Sequence, residues 1–459
     1  MQDLTTGSIT RHLLKTASFM LVTMVFQTLY FLVDLYWVGR LGKEAVAAVG
    51  IAGNLTFIVL AVSQMLGVGT TTLVSHATGR KDRERALLVF NQSQVLSIVV
   101  GAIFLAVTML LRGAYASSLG ADPQTAIQAE EYLTWFIPAM ALQFAMVAMG
   151  AALRGTGNFK PGMVVQTATV ILNMVLAPFL IFGWGTGVPL GVAGAAISSL
   201  VAVAVGVVWL ALYFIKPSAY LHFVPAHWVP QMPLWAQMLK IGLPAGAEFG
   251  LMAAYLFVIY WISRPFGAAA QAGFGIGLRI VQAGFMPVVA LGFSVAPVAG
   301  QNFGAGLADR VKKTYVTAVS MAVGVMAVWA VACHFGAAPM VRLFSVDAQV
   351  VAVGEEYLRI VAWTFVGSGL VFVSSSMFQA LGNTLPPLAA SFGRMLLTAL
   401  PAILLARMPG FELKWIWYLS AGTIGFQVIT VLLLLQREYR LRLGSAAMFG
   451  TASATARTG

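Results

Sequence analysis

Residues 122–134 read D-P-Q-T-A-I-Q-A-E-E-Y-L-T, and residues 347–359 read D-A-Q-V-V-A-V-G-E-E-Y-L-R. Asp, Gln and the Glu-Glu-Tyr-Leu run recur at an offset of 225 residues. Asp122 and Asp347 stand where helix N-caps belong, and Pro123 suits a first helical position. Each copy should therefore open a short amphipathic turn on the outer surface and lead into an apolar helix. The same interval joins Leu66-Gly67 to Leu291-Gly292, Gly79 to Gly304 and Gly50 to Gly275, and Arg40 falls within one residue of alignment with Arg264. After the fourth apolar stretch the register slips by a few residues, where A-L-R-G-T-G-N at 152–158 faces A-L-G-N-T at 380–384. The matched residues are polar, Gly and Pro at fixed spacing, which shared apolar composition does not produce. The chain is written in two halves.

Composition says where those halves sit. Hydrophobic residues make up 59% of the chain and charged residues 9%, against roughly a quarter charged in a soluble domain. About 20 consecutive apolar residues span a bilayer as a helix. Twelve such spans are predicted, near 13–38, 47–75, 87–111, 131–153, 162–183, 190–215, 236–262, 271–299, 314–338, 356–380, 386–406 and 414–435. The fold class is all-α: a polytopic membrane protein with two pseudo-symmetric six-helix bundles. The expected division is an N-terminal lobe at 1–215, a cytoplasmic linker at 216–235, a C-terminal lobe at 236–440 and a cytoplasmic, flexible tail at 441–459. Six spans per half leave both halves in the same orientation, related by an axis along the membrane normal. The first apolar run is too long for a signal-peptide core and lacks a small-residue cleavage site, so it reads as a span.

The formal charge of +12 is mostly a topology signal. Of the 27 Lys and Arg, seventeen lie on the side of the termini, including Arg80, Lys81, Arg83 and Arg85. Seven lie on the other side, and Arg279, Arg359 and Arg394 lie within or at the ends of spans. The positive-inside rule then places both termini in the cytoplasm of a cell (inner) membrane protein. Nucleic acid is not an expected partner. The lone Cys333 excludes an internal disulfide.

Parallel six-span halves suit a transporter that opens alternately to each side. The stretches V-G-R-L-G at 38–42, A-V-A-A-V-G at 45–50 and G-V-G-T-T-T-L-V-S at 67–75 resemble the multidrug and toxic compound extrusion (MATE) transporters. So do A-L-R-G-T-G-N at 152–158, I-L-N-M-V-L-A-P at 171–178 and G-V-A-G-A-A-I-S at 191–198. The likeness covers almost the whole chain in order, and is greatest to the prokaryotic branch of DNA-damage-inducible-F-like and archaeal members. The resemblance implies an antiporter: inward flow of protons or sodium drives export of bulky, often cationic, drug-like compounds. No cofactor is implied beyond the coupling ion, and a monomer in contact with membrane lipid is expected.

An acid inside a span is costly and so a candidate for function. Asp34, in F-L-V-D-L-Y-W-V-G, matches the first-span aspartate that binds the coupling ion in the family's N-terminal lobe; the alternative is an interfacial acid that snorkels outward. A carboxylate in a partly dry pocket can exchange a proton near neutral pH. Glu248, in G-L-P-A-G-A-E, resembles a seventh-span glutamate of sodium-driven vibrio-type and eukaryotic members; the alternative is a structural ion pair with Arg279. The archaeal-like pattern has Asn and then, four residues later, Asp on the fifth span. Here Asn173 is present, but the second position is Ala177. Ser199 supplies a hydroxyl on the sixth span, and the tenth-span aspartate of the vibrio-type pattern is absent. One acid, an amide and a hydroxyl make a poor sodium site, because a hard cation wants several oxygens and more negative charge. The pattern favours protons over sodium.

Gln143, Gln166 and Gln379 are polar candidates for the substrate-cleft wall, and each could equally be a helix-to-helix hydrogen bond. Twenty-one Met and 29 Phe offer adaptable surface for hydrophobic compounds. His12, His76, His222, His227 and His334 are scattered, and no P-loop, HExxH or GxSxG stands in a plausible context, which speaks against ATP-driven transport, metal sites and hydrolysis. The nearest rival is a lipid-linked precursor flippase of the wider superfamily, for which fourteen spans and a cationic cavity are expected. A channel would need a filter loop or charged ring.

Overall fold

The computed structural model describes residues 1–444 apart from 121, 186, 217 and 218; most of the expected tail at 441–459 lies outside the described residues. Every regular element among the described residues is helical. Among the described residues, twelve helical segments are long and apolar enough to cross a membrane. The first half holds α1 (Ile9–Gly39), α2 (Lys43–Gly79), α3 (Arg83–Leu119), α4 (Pro123–Gly155), α5 (Lys160–Phe182) and α6 (Gly191–Ile215). The second holds α7 (Met232–Ser263), α8 (Ala268–Gly304), α9 (Ala308–Arg342), α10 (Ala348–Val361), α11 (Phe365–Leu381), α12 (Leu385–Leu405) and α13 (Lys414–Leu443). A 3-10 turn at Ala362–Thr364 joins α10 to α11, and Ala348–Leu381 counts as one span.

The repeat seen in the sequence is a repeat of helices. The starts of α2 and α8, α3 and α9, α4 and α10, and α5 and α12 fall at residues 43 and 268, 83 and 308, 123 and 348, and 160 and 385. Each pair is 225 residues apart. Both predicted N-caps form: Asp122 accepts from the Thr125 amide at 2.8 Å, and Asp347 accepts from the Gln349 amide at 2.8 Å. The turns after α4 and α11 match as well. Gly157 and Gly382 both take the left-handed conformation, at φ 75° and 76°. The Asn158 and Asn383 amides then reach back to the carbonyls of Leu153 and Phe378, each at 3.0 Å. A non-glycine side chain is strained at such a φ, which explains Gly at both positions.

Several helices outrun the bilayer. At 37 residues, α2 and α8 reach about 55 Å at 1.5 Å per residue, well beyond a hydrocarbon core of about 30 Å. The outer faces carry many large apolar side chains: Leu110, Phe257, Val328 and Phe335 are among the most exposed, as lipid-facing positions require.

By contacts the chain forms two compact units. One is Met1–Leu4 with Lys15–Gly250; the other is Thr5–Leu14 with Leu251–Gly459. In the first unit, the early part of α7 lies close on α2 through small residues. A Cβ at Gly246 would sit 2.5 Å from the Ala61 carbonyl oxygen, and one at Gly242 would overlap the Met65 carbonyl. Gly at four-residue spacing lets two backbones approach, a usual device of helix contacts in lipid. The α7 segment carrying Glu248 therefore packs with the first half, and contacts draw the boundary at Gly250 rather than inside the linker.

The linker is held tightly. Asn91 and Gln92 of α3 are both fully buried. Gln92 Nε2 donates to the carbonyls of His227 (2.6 Å) and Val229 (2.7 Å). Its Oε1 accepts from the Gln231 amide (3.0 Å) and Trp235 Nε1 (2.8 Å). Asn91 Oδ1 accepts from the Val224 amide at 2.9 Å and Trp228 Nε1 at 3.0 Å, and its Nδ2 donates to the His222 carbonyl at 3.1 Å. Two side chains thereby fix the path of about a dozen linker residues.

Candidate functional site

In the first unit α1 turns one acidic residue inward. Phe31, Leu32, Leu35 and Tyr36 are exposed, while Asp34 is 8% exposed. Tyr30, one turn earlier on the same face, shares a hydrogen bond of 3.0 Å with Ser199 Oγ on α6. Asn173 Nδ2 on α5 donates to the same Ser199 Oγ at 2.9 Å. Three helices thus meet at one hydroxyl. Asn173 and Ser199 are both buried, as is Ala177, one turn along α5 from Asn173. Tyr132 of α4 is buried close enough to feel the charge of Asp34.

The cluster keeps two buried oxygens free. Asp34 Oδ1 and Asn173 Oδ1 have no hydrogen-bond partner. A buried acceptor without a donor is costly, and two in one cluster invite something positive or protic. A proton on Asp34 would remove the charge and convert the carboxyl into a donor. Beyond Asp34, toward the end of α1, Trp37 packs edge-on against Phe182 at 6.0 Å and Trp184 at 5.7 Å. This aromatic plug closes that end of α1 with apolar bulk.

Glu248 sits half-buried on α7 within the first unit, and Arg279 is exposed on α8 within the second. Gln143 on α4, Gln166 on α5 and Gln379 on α11 are each half-buried. The structure brings Asn173 and Ser199 together with the Asp34 face of α1. Gln143 and Gln166 enter no hydrogen bond of that cluster.

The second unit contains a matching cluster that was not singled out from the sequence. Tyr255 on α7 shares a 2.9 Å hydrogen bond with Ser420 Oγ on α13. Arg394 Nη2 on α12 donates to the same Ser420 Oγ at 3.3 Å, and Tyr357 of α10 is buried nearby. Tyr30 and Tyr132 become Tyr255 and Tyr357 at an offset of 225; Asn173 and Ser199 become Arg394 and Ser420 at 221. Tyr132 and Tyr357 are the tyrosines of the two Glu-Glu-Tyr-Leu runs. Those runs open helices, and their tyrosines also wall the clusters. The signal lay in the repeat itself.

A family model described as MatE matches residues 20–179 and again 244–404. The two matches cover well over half of the chain and are spaced like its internal repeat. The chain is a member of the MATE family. It is a multi-pass membrane protein of a transporter family. Among curated proteins, Multidrug export protein MepA of Staphylococcus haemolyticus (strain JCSC1435) is 26% identical over 368 residues, covering 79% of this chain and 80% of its own. The FAD transporter of Shewanella oneidensis is 25% identical over 379 residues, covering 81% and 82%. Probable multidrug resistance protein YpnP of Bacillus subtilis (strain 168) is 28% identical over 393 residues, covering 83% and 85%. Among solved structures, a MATE protein in the bent conformation superposes with a TM-score of 0.90 at 23% identity, over 97% of this chain and 98% of that one. A MOP superfamily transporter from Pyrococcus furiosus gives 0.87 at 24% identity, over 95% and 98%. These likenesses establish a MATE fold with twelve spans.

Proposed function

We propose that this MATE protein is a secondary antiporter that exports bulky hydrophobic, often cationic compounds in exchange for protons by alternating access. It acts as a monomer in the cell inner membrane, with both termini cytoplasmic and the positively charged turns inside. One observation carries the reading: Asp34 is buried inside the first unit with an unpartnered carboxylate oxygen, beside a Tyr30–Ser199–Asn173 network in which the buried Asn173 Oδ1 is also unpartnered. A proton needs one carboxylate. A hard cation such as sodium wants several oxygens and more negative charge, and the position that supplies a second acid in archaeal-like relatives is the buried Ala177. The multidrug export named for the staphylococcal relative supports the class of cargo.

Protonation of Asp34 removes the charge that a half-dry cluster must otherwise hold, and this favours a different seating of α1 against α5 and α6. Each exchange of proton for cargo then corresponds to one such reseating. Glu248 stands as a second ion-coupling candidate. Sodium coupling and lipid-precursor flipping are the rival readings. Purified protein in proteoliposomes, loaded with ethidium and given either a pH gradient or a sodium gradient, separates them. Export under the pH gradient alone supports proton antiport. Export under sodium alone overturns the choice of ion, and gradient-independent movement overturns antiport.

A further inference from the structure

The two clusters share a frame and differ in polarity. Ser199 and Ser420 each receive a phenol from the lobe's first helix and an N–H from its fifth span. In the first unit that N–H belongs to an amide, Asn173, and a carboxylate stands one turn along α1. In the second unit the N–H belongs to a guanidinium, Arg394, and the position 225 residues after Asp34 is Ile259, buried and apolar. The second cluster has an apolar residue where the first has its acid, and a cation where the first has its amide.

Arg394 is the tenth residue of the 21-residue α12. At 1.5 Å per residue, the two ends of the helix are about 14 and about 17 Å away, too far for an arginine to snorkel out of the hydrocarbon. Such a charge normally pairs with an acid. Arg394 does not. The ion pairs among the described residues use Lys43, Arg112, Arg359, Lys414 and Arg442 as their cations. The titratable groups close enough to act on Arg394 are the phenols of Tyr255 and Tyr357. Its guanidinium carbon lies 5.8 Å from the centre of the Tyr255 ring, and one Nη donates to Ser420. Its Nε is buried and has no partner. Arg394 and Tyr255 are both half-buried, so the cluster keeps an open side. A planar fork with spare donors, a cation–π wall and no internal anion is suited to a carboxylate or phosphate, which it can grip with two parallel hydrogen bonds.

We propose that the Arg394–Tyr255–Ser420–Tyr357 cluster of the second unit is an oxyanion site that takes the carboxylate or phosphate group of a transported compound. Anionic and zwitterionic amphiphiles therefore belong among the cargoes of this chain. This extends the reading of the chain as an exporter and rests on it for the word cargo, while the binding site itself does not. Tyr357 closes the buried side of the cluster, and Tyr255 shares a hydrogen bond with Ser420, leaving the remaining N–H groups of Arg394 for the ligand.

The test uses the full chain in nanodiscs and two pairs of fluorescent probes that differ in one group. They are riboflavin 5′-phosphate against riboflavin, and pyrene-1-butyrate against its methyl ester. The wild type should bind the anionic member about tenfold more tightly or better in at least one pair, as a charge-assisted grip gives. A preference in the first pair alone assigns phosphate, in the second alone carboxylate. Arg394→Gln keeps a donor for Ser420 and removes the charge; the preference should fall to within about twofold. Equal binding of both members by the wild type overturns the proposal, as does a preference that survives Arg394→Gln. If Arg394→Gln does not fold, Arg394→Lys decides: a point charge without the fork should lower the preference several-fold, and an unchanged ratio refutes the site. An intact preference with no gradient-driven efflux of any compound would sink the exporter reading and leave the oxyanion site standing.

Discussion

Replacing Gln92 with Met removes four hydrogen bonds and little volume. The amide of Gln92 is fully buried and bonds two carbonyls and two N–H groups of the linker, at 2.6 to 3.0 Å. At about 0.5–1.5 kcal/mol net for each bond, the loss is roughly 2–6 kcal/mol. Water at the interface can reach some of the freed linker groups, which favours the lower half of that range, about 3 kcal/mol. A unit of this size shifts its midpoint by roughly 2–4 °C per kcal/mol, so Tm should fall by about 6–12 °C. Gln94 on the same helix is an internal control. It is also buried, yet its amide donates to the neighbouring Ser93 at 3.1 Å rather than to the linker, so Gln94→Met should cost much less. Thermal unfolding of the detergent-solubilised protein, followed by tryptophan fluorescence, reads both. Limited chymotrypsin digestion should also cut near Trp228 faster in Gln92→Met. A Tm within about 1 °C of wild type, with unchanged digestion, would refute the clamp.

Three further outcomes follow from the geometry. A Cβ at Gly155 would lie 2.8 Å from the Val74 side chain and 3.0 Å from the Thr71 carbonyl, so Gly155→Val should lower folded yield through overpacking of α4 on α2; an altered drug spectrum at normal protein levels would count against this. Hydrogen bonds from the Thr125 amide and hydroxyl hold the Asp122 carboxyl below its usual range. Its contribution is therefore present above the unfolded value of about 3.9 and lost as pH falls through the lower folded value, so the stability gap between wild type and Asp122→Ala should narrow below about pH 4; a gap independent of pH contradicts this. Ala177→Asp places a second carboxylate one turn from Asn173 and should raise the sodium dependence of efflux, which transport under imposed sodium gradients measures; unchanged ion dependence argues that the free Asn173 oxygen is not part of the ion path.

The spans and the repeat were legible because lipid demands long apolar runs and because caps and turns use few residue types. Asp122, Asp347, Gly157 and Gly382 announce helix ends wherever they stand. The tenth span starts earlier than its hydropathy suggests, at Ala348 rather than near 356, because the Asp347 cap begins a polar first turn before the apolar run. Asp34 was visible as an acid in an apolar run, and Asn173 and Ser199 were visible through their family pattern. Their meeting with Tyr30 was not, since it depends on how α1, α5 and α6 pack. Asn91 and Gln92 read as ordinary polar residues near a helix start, though each binds chain more than 130 residues away. Arg394 was noticed only as a charge within a span. Comparing the two halves at the 225-residue offset pairs Tyr30 with Tyr255 and Tyr132 with Tyr357, and that comparison is the step that exposes the second cluster.

We propose that Asp34 carries the coupling proton. Asp34→Asn keeps the size of the side chain and cannot exchange a proton. The decisive measurement is ethidium efflux from proteoliposomes under an imposed pH gradient, with ethidium affinity measured in the same preparation. Gradient-driven efflux should be lost in Asp34→Asn, with affinity within about threefold of wild type, a shift under 1 kcal/mol. Full proton-driven efflux in Asp34→Asn would contradict it and move the coupling role to Glu248.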